Sequence, residues 1–405
     1  MRMALLSLCL VTLMGCQQKL TSPADCPALC PGGEPQVFDE VISPIIGSDS
    51  SFSGYVQPTA AAAVLSSNGL DGGEERAIVR FNRRGDSISV RDTLRAYTID
   101  SVALGFAILA RDTLLTGLQL LVYRLPSTID STTTFASIDP AFVPENLIAT
   151  IDVPDSVNAG AVQTMLRGAD LARVAIPPSD SGQLSVGVRV AAPVPTGVRL
   201  GAIATPGTAA AFTTYVTADI PDTGVAKLRT FPLSAAFDSY VTQNPVVSDS
   251  TLLLVGGEPA SRALIRFVLP PRIRDSATVV RATLELTPVA PISGLPTDPV
   301  RLEARAVLAD LGAKSPVNST AGRVPTDTVS AGTATTVALE AVRLVELWLR
   351  STRPTALVLS LGQTQPDLEA ASFSRPVFYS SRAADPAVRP RLRISYLLSF
   401  PFENP

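Results

Sequence analysis

Apolar and polar positions alternate with a period of two along much of this chain, the pattern of strands that pack one face and wet the other. The clearest case is Val300 to Val307, where Leu302, Ala304 and Ala306 alternate with Arg301, Glu303 and Arg305. Another stretch occurs twice, as Arg76-Ala77-Ile78-Val79-Arg80-Phe81 and as Arg262-Ala263-Leu264-Ile265-Arg266-Phe267. Each follows a Gly-Gly-Glu turn, Gly72-Gly73-Glu74 and Gly256-Gly257-Glu258. Entry from a glycine turn into β-branched and apolar residues reads as a strand, here with Arg80 and Arg266 on the wet face.

Other segments recur in the same order. Tyr55-Val56-Gln57 parallels Tyr240-Val241-Thr242-Gln243, which places the opening of the first copy at Asp49 to Gln57. Val64-Leu65 matches Leu252 to Val255, Ile99 to Ile108 matches Val279 to Leu286, and Leu118 to Leu125 matches Val300 to Val307. Leu184 to Val190 matches Ala356 to Leu361, and Ala226 to Phe231 matches Pro390 to Ser395. A shared order with drifting spacing is what duplication and divergence leave. The copies meet near Pro232 to Ala236.

Between the middle strands lie Ser/Thr/Pro-rich loops, Ser127 to Asn146 and Gly312 to Thr336, with no pattern that buries a face. In the second copy Ala338, Ala341, Val342, Val345, Trp348 and Leu349 then fall at helical spacing, opposite Glu340, Arg343, Glu346 and Arg350. Val162 to Val174 is a weaker counterpart in the first. Trp348, on the apolar stripe, reads as core, and so do Tyr379 and Tyr396.

Composition narrows the function classes. Hydrophobic residues make up 46% and charged ones 17%, with 34 Pro and 26 Gly, which suits two β-domains in 405 residues. The net charge of -3 with no basic run sets nucleic acid aside. Histidine is absent, so the usual general base and imidazole ligand are missing.

Residues 1–15 carry one arginine and an apolar run too short to span a bilayer, as in a secretory signal. Leu13-Met14-Gly15-Cys16 resembles the bacterial lipobox, which implies lipidation of Cys16 and an exported lipoprotein held to a membrane by its acyl chains. Gln17 and Gln18 follow rather than aspartate, which by the same resemblance points to the outer membrane or cell surface. Residues 16–46 read as a tether, with Cys26 and Cys30 expected to form a local disulfide.

The second copy also runs through Ala282 to Leu286, the helix with Trp348, Phe373 to Arg382, and Arg389-Pro390-Arg391-Leu392-Arg393-Ile394-Ser395-Tyr396. This order resembles the DNRLRE domain family, jelly-roll modules of secreted and surface-attached microbial proteins, often found beside polysaccharide-degrading enzymes. The first copy matches in outline only. The resemblance implies an all-β chain of two tandem jelly-roll β-sandwich domains, 47–233 and 234–405, each with one short helix.

The expected role is a lipid-anchored, non-catalytic surface protein acting as a structural or adhesive module. A carbohydrate-binding role for the second domain, toward cell-surface or extracellular polysaccharide, is the alternative, ahead of a carboxylate-based hydrolase or lyase. Aromatic content of 5% offers few stacking platforms for sugars. Arg382 with Asp385 is the best polar candidate, read as an ion pair. Asp238, Asp249, Asp275 and Asp385 are candidates for a structural calcium, on chemistry and not on spacing.

Overall fold

The computed structural model describes residues 36–53, 63–70, 73–90, 92–176, 180–218, 227–243, 251–257, 260–297, 299–317, 327–350, 354–362 and 372–398. It is mostly β. In chain order the strands are β1 (Val37–Ile42), β2 (Ser50–Ser53), β3 (Ala63–Asn68), β4 (Glu74–Phe81), β5 (Ile88–Val90), β6 (Thr93–Arg95), β7 (Thr98–Arg111) and β8 (Gln119–Leu125). There follow β9 (Leu147–Asp152), β10 (Gly160–Arg167), β11 (Ser185–Ala191), β12 (Thr196–Gly201), β13 (Ala211–Ala218), β14 (Lys227–Thr242), β15 (Leu252–Leu254) and β16 (Ser261–Arg266). The last are β17 (Ala277–Leu286), β18 (Val300–Ala306), β19 (Asp327–Val329), β20 (Val337–Glu340), β21 (Ala356–Gly362), β22 (Val377–Tyr379) and β23 (Arg391–Leu398). Among the described residues three short α-helices, α1 (Phe135–Ile138), α2 (Pro271–Ser276) and α3 (Val342–Leu349), accompany them.

The two halves have the same sheet order. One half holds a sheet β1-β23-β17-β20, a sheet β19-β18-β21-β16-β2 and the pair β15-β22. The other holds β14-β13-β7 with β10 on β7, then β9-β8-β11-β4 with β14 again on β4, and the pair β3-β12. Here β12 also bonds β7 and β3 bonds β4, so β14, β13, β7, β12, β3 and β4 close into a six-strand barrel.

The sequence boundary does not survive in this arrangement. β14 is one strand: Leu233 opposes Phe212 of β13, and nine residues on Thr242 opposes Glu75 of β4. Residues 234–242 therefore belong to the sheets of the first half. The reverse holds at the front of the chain, where Ile42 of β1 opposes Leu392 of β23 and Ser53 of β2 opposes Ser261 of β16. The expected tether thus contains a strand, and the expected opening of the first copy completes the second. The match of Ala226–Phe231 to Pro390–Ser395 is also corrected: β23 holds the place of β13, and β1 that of the leading part of β14.

Two large cores follow from this weave. Ile42 joins Phe267, Leu284, Trp348, Leu392 and Ile394 in one, and Leu233 joins Phe81, Leu104, Val188 and Phe212 in the other. Trp348 on α3 is 3% exposed, with its ring 6.2 Å from that of Phe267, so the apolar stripe does face the core. Tyr396 is buried as expected. The stretch from Val162 is not a helix; β10 and a 3-10 turn, Gly168–Val174, stand where β20 and α3 stand in the other half. The halves touch where the Phe373 ring covers Gly197, a place with no room for a β-carbon: one there would lie 2.6 Å from the ring.

The wet faces are less wet than the alternation implied. Arg76 is 4% exposed, ion-paired to Glu74 at 2.6 Å and to Asp139 at 2.8 Å. Its guanidinium lies 4.2 Å from the Phe135 ring and 4.1 Å from the Phe142 ring. The loop Ser127 to Asn146, expected to bury nothing, is held on β4 by this sandwich and buries Ile129 and Ile138. Glu303 and Arg305 of β18 are buried together at 2.7 Å. Arg80 donates to the Ile129 carbonyl and Arg266 pairs with Asp310, so both arginines fasten loops.

Ile42 and Leu233 fill equivalent places in separate cores. Ile42→Ala and Leu233→Ala are each expected to cost about 2–5 kcal/mol, read as a shift in the midpoint of urea unfolding. Equal stability of the Ile42→Ala variant and the parent would show that β1 does not close the second half.

Candidate functional site

The polar centre of the molecule lies where β2 and β14 enter the opposite halves. Ser50 opposes Leu264 on β16, and Ser239 opposes Ile78 on β4, so Asp49-Ser50 and Asp238-Ser239 hold equivalent positions. Both aspartates are buried, at 1% and 2% exposure. A carboxylate in such a place needs donors, and the two halves supply them differently.

Asp49 is fully served. Its Oδ2 accepts from the Ser381 N–H at 2.6 Å and its Oδ1 from the Ser381 hydroxyl at 2.6 Å. The Ser381 hydroxyl oxygen in turn accepts from the Gly47 N–H at 2.9 Å. Arg382 Nη1 lies 3.5 Å from Asp49 Oδ1, while its Nη2 donates to the Gly47 carbonyl at 2.6 Å. Gly47 sits at φ +77° beneath that guanidinium, a left-handed turn that suits glycine. Charge-assisted bonds of this kind are the strong ones, and these tie β2 to the loop between β22 and β23.

Asp238 has half of that set. Its Oδ2 accepts from the Ile203 N–H at 2.6 Å, and Oδ1 has no hydrogen-bond partner among the described residues. Ile203 follows β12 as Ser381 follows β22, so the backbone donor is repeated while the hydroxyl and the cation are not. Burial pushes the Asp238 carboxyl above its ordinary value, and the Ile203 bond offsets this only in part.

The remaining sequence candidates stand apart. Asp275 ends its exposed ion pair on Arg274 at 2.8 Å, which holds its carboxyl below the ordinary range. Asp385 accepts from the Ala387 N–H at 2.8 Å and caps the 3-10 turn Pro386–Val388. Arg382 is engaged by Asp49, in place of the expected pairing with Asp385. Asp249, Cys16, Cys26 and Cys30 lie outside the described residues. Among the described residues no three His, Cys, Asp or Glu side chains gather as a metal site would require.

A separate open cleft of about 290 Å³ lies on the outer face of β17 and β23, lined by Glu285, Thr287, Thr336, Ala387, Arg389 and Arg391. Alternation along β17 and β23 turns these charged residues outward. Glu285 is held by Arg393 at 3.1 Å, and Arg389 donates to the Ala383 carbonyl at 2.8 Å. The lining has hydroxyls and cations, one carboxylate and no aromatic ring. It can hold a polar or anionic group, and it lacks the paired carboxylates of glycoside chemistry. The alternating charges of β23 signalled this face; Asp49 left no signal beyond the repeated Asp-Ser pair.

Two outcomes follow. Asp49→Ala strips the acceptor from the Ser381 N–H and leaves Arg382 without its carboxylate, and is expected to cost about 3 kcal/mol in denaturant unfolding. Asp238 works in the opposite sense. Its carboxyl is raised on folding from 3.8, so its contribution is full below that pH and is lost as pH rises through the raised value. Asp238→Asn is therefore expected to be more stable than the parent at neutral pH, with the difference closing below pH 3.8. A parent that stays the more stable of the two at neutral pH would contradict this.

Compared with protein-family models and with curated proteins, the chain matches no family model and no curated sequence.

Proposed function

We propose that this is an exported lipoprotein, anchored through Cys16 to the outer membrane or cell surface, that serves as a non-catalytic structural or adhesive element. Its two halves are taken as tandem jelly rolls of the DNRLRE kind. The observation that carries the reading is the weave: β1, the first strand among the described residues and within the expected tether, is paired into the sheets of the second half. Tension on the anchor then enters β23 directly, and the two halves are loaded together. Acyl chains contribute about 0.8 kcal/mol per buried CH₂, and two or more give lasting attachment where one does not.

A second reading, polysaccharide binding by the second half, is favoured by the cleft over Glu285, Arg389 and Arg391. A glycan array probed with and without calcium separates the two, since retention on any polysaccharide supports binding and a blank array leaves the structural role.

The anchor is tested by labelling cells with a fatty-acid analogue. Label is expected on the parent chain and not on Cys16→Ser, with the variant moving from the membrane to the soluble fraction. Unlabelled parent protein, or a variant that stays on the membrane, would overturn the lipoprotein reading.

A further inference from the structure

The weave leaves the two halves unequally fastened. The first is closed by β14, which buries Leu233, Ala235, Phe237, Asp238 and Val241 along its length. The second is closed by β1 and β2, whose hold is thin. In β1 only Ile42 is buried, while Val37, Phe38 and Val41 are exposed, and no residue of β2 is fully buried. Apolar grip comes from Ile42 in the core and from the Phe38 ring stacked 5.8 Å from Tyr396, and much of the hold is polar: Glu40 with Arg272 at 2.8 Å, Ser51 with the Leu252 carbonyl and the Leu254 N–H, and Asp49 with Ser381 and Arg382.

β1 and β2 are also distant in sequence from everything they pair with, and β3, the next strand, belongs to the other half. The next described strand after β2 thus lies in the first half. Strands held by few buried contacts lie at the low-stability end of a fold and open locally. Once open, β1 and β2 meet an identical acceptor on another copy, the edges of β23 and β16. Every contact made in one chain is reproduced between two, so the two arrangements differ mainly in linker geometry and effective concentration.

We propose that β1 and β2 form an exchangeable clasp that binds a second copy of this chain, each copy placing its residues 37–53 in the second half of the other. The acceptor surface is the edge of β23 from Leu392 to Leu397 with the edge of β16 from Ser261 to Leu264. Two-fold exchange closes on itself and leaves no free acceptor. The exchange is independent of the lipid anchor and of any glycan.

Asp39 and Ser395 provide the test, because they are opposed across β1 and β23 with Ser395 Oγ 2.5 Å from Asp39 Oδ1. Full-length Asp39→Cys and Ser395→Cys chains, each in mild detergent, are unfolded in urea, mixed, refolded together at increasing concentration and oxidised. A disulfide-linked pair of chains is expected, rising with concentration and absent when Glu285→Cys replaces Ser395→Cys. A chain carrying both Asp39→Cys and Ser395→Cys, oxidised beforehand, is expected to close its own disulfide and to take no part in exchange. Closure within that chain, together with no linked pair from the mixed single variants at any concentration, would overturn the proposal. Linkage equal to that of the Glu285→Cys control would do the same.

Discussion

An edge strand cannot leave its backbone donors and acceptors unmet inside a folded half, and β4 and β16 each have such an edge. Neither is closed by the strand that opens its own repeat. β4 takes β14, the leader of the second copy, and β16 takes β2, the leader of the first. With two copies this rule closes into a ring, so each half depends on the other for its last strands. The barrel of the first half, the merged boundary at β14 and the burial of Ile42 all descend from that pairing.

The buried aspartates hold equivalent positions in the two halves and are served differently. Asp49 holds a hydroxyl, an N–H and a guanidinium, and it fastens a strand that has little apolar burial of its own. Asp238 sits in a strand already secured along its length, and there Oδ1 meets no donor among the described residues. Charge is thus placed where packing is weak. Arg76 has a joining role too, between the two phenylalanines of the loop that packs on β4.

The duplication was readable in the chain because strand period and order are local properties. β7 with β17, β8 with β18 and β11 with β21 fall where their alternation put them, and the core position of Trp348 followed from helical spacing. Partner choice was not readable. A period of two says which side chains share a face and nothing about which edge meets which, so β1 was read as tether and β2 was given to the first half. Aligning Tyr55 with Tyr240 hid the match of Asp49-Ser50 to Asp238-Ser239. The loop carrying Phe142 shows no periodicity, and its burial depends on Arg76, more than fifty residues away in sequence. Arg382 was read with Asp385, whereas the weave brings Asp49 to it.

Amide hydrogen exchange on a chain that begins at Ala63 measures this mutual closure most directly. If β1 and β2 complete the second half, protection falls across Ser261–Arg266 and Arg391–Leu398 while Glu74–Phe81 and Ala211–Ala218 keep theirs. Unchanged protection along β16 and β23 would contradict the account.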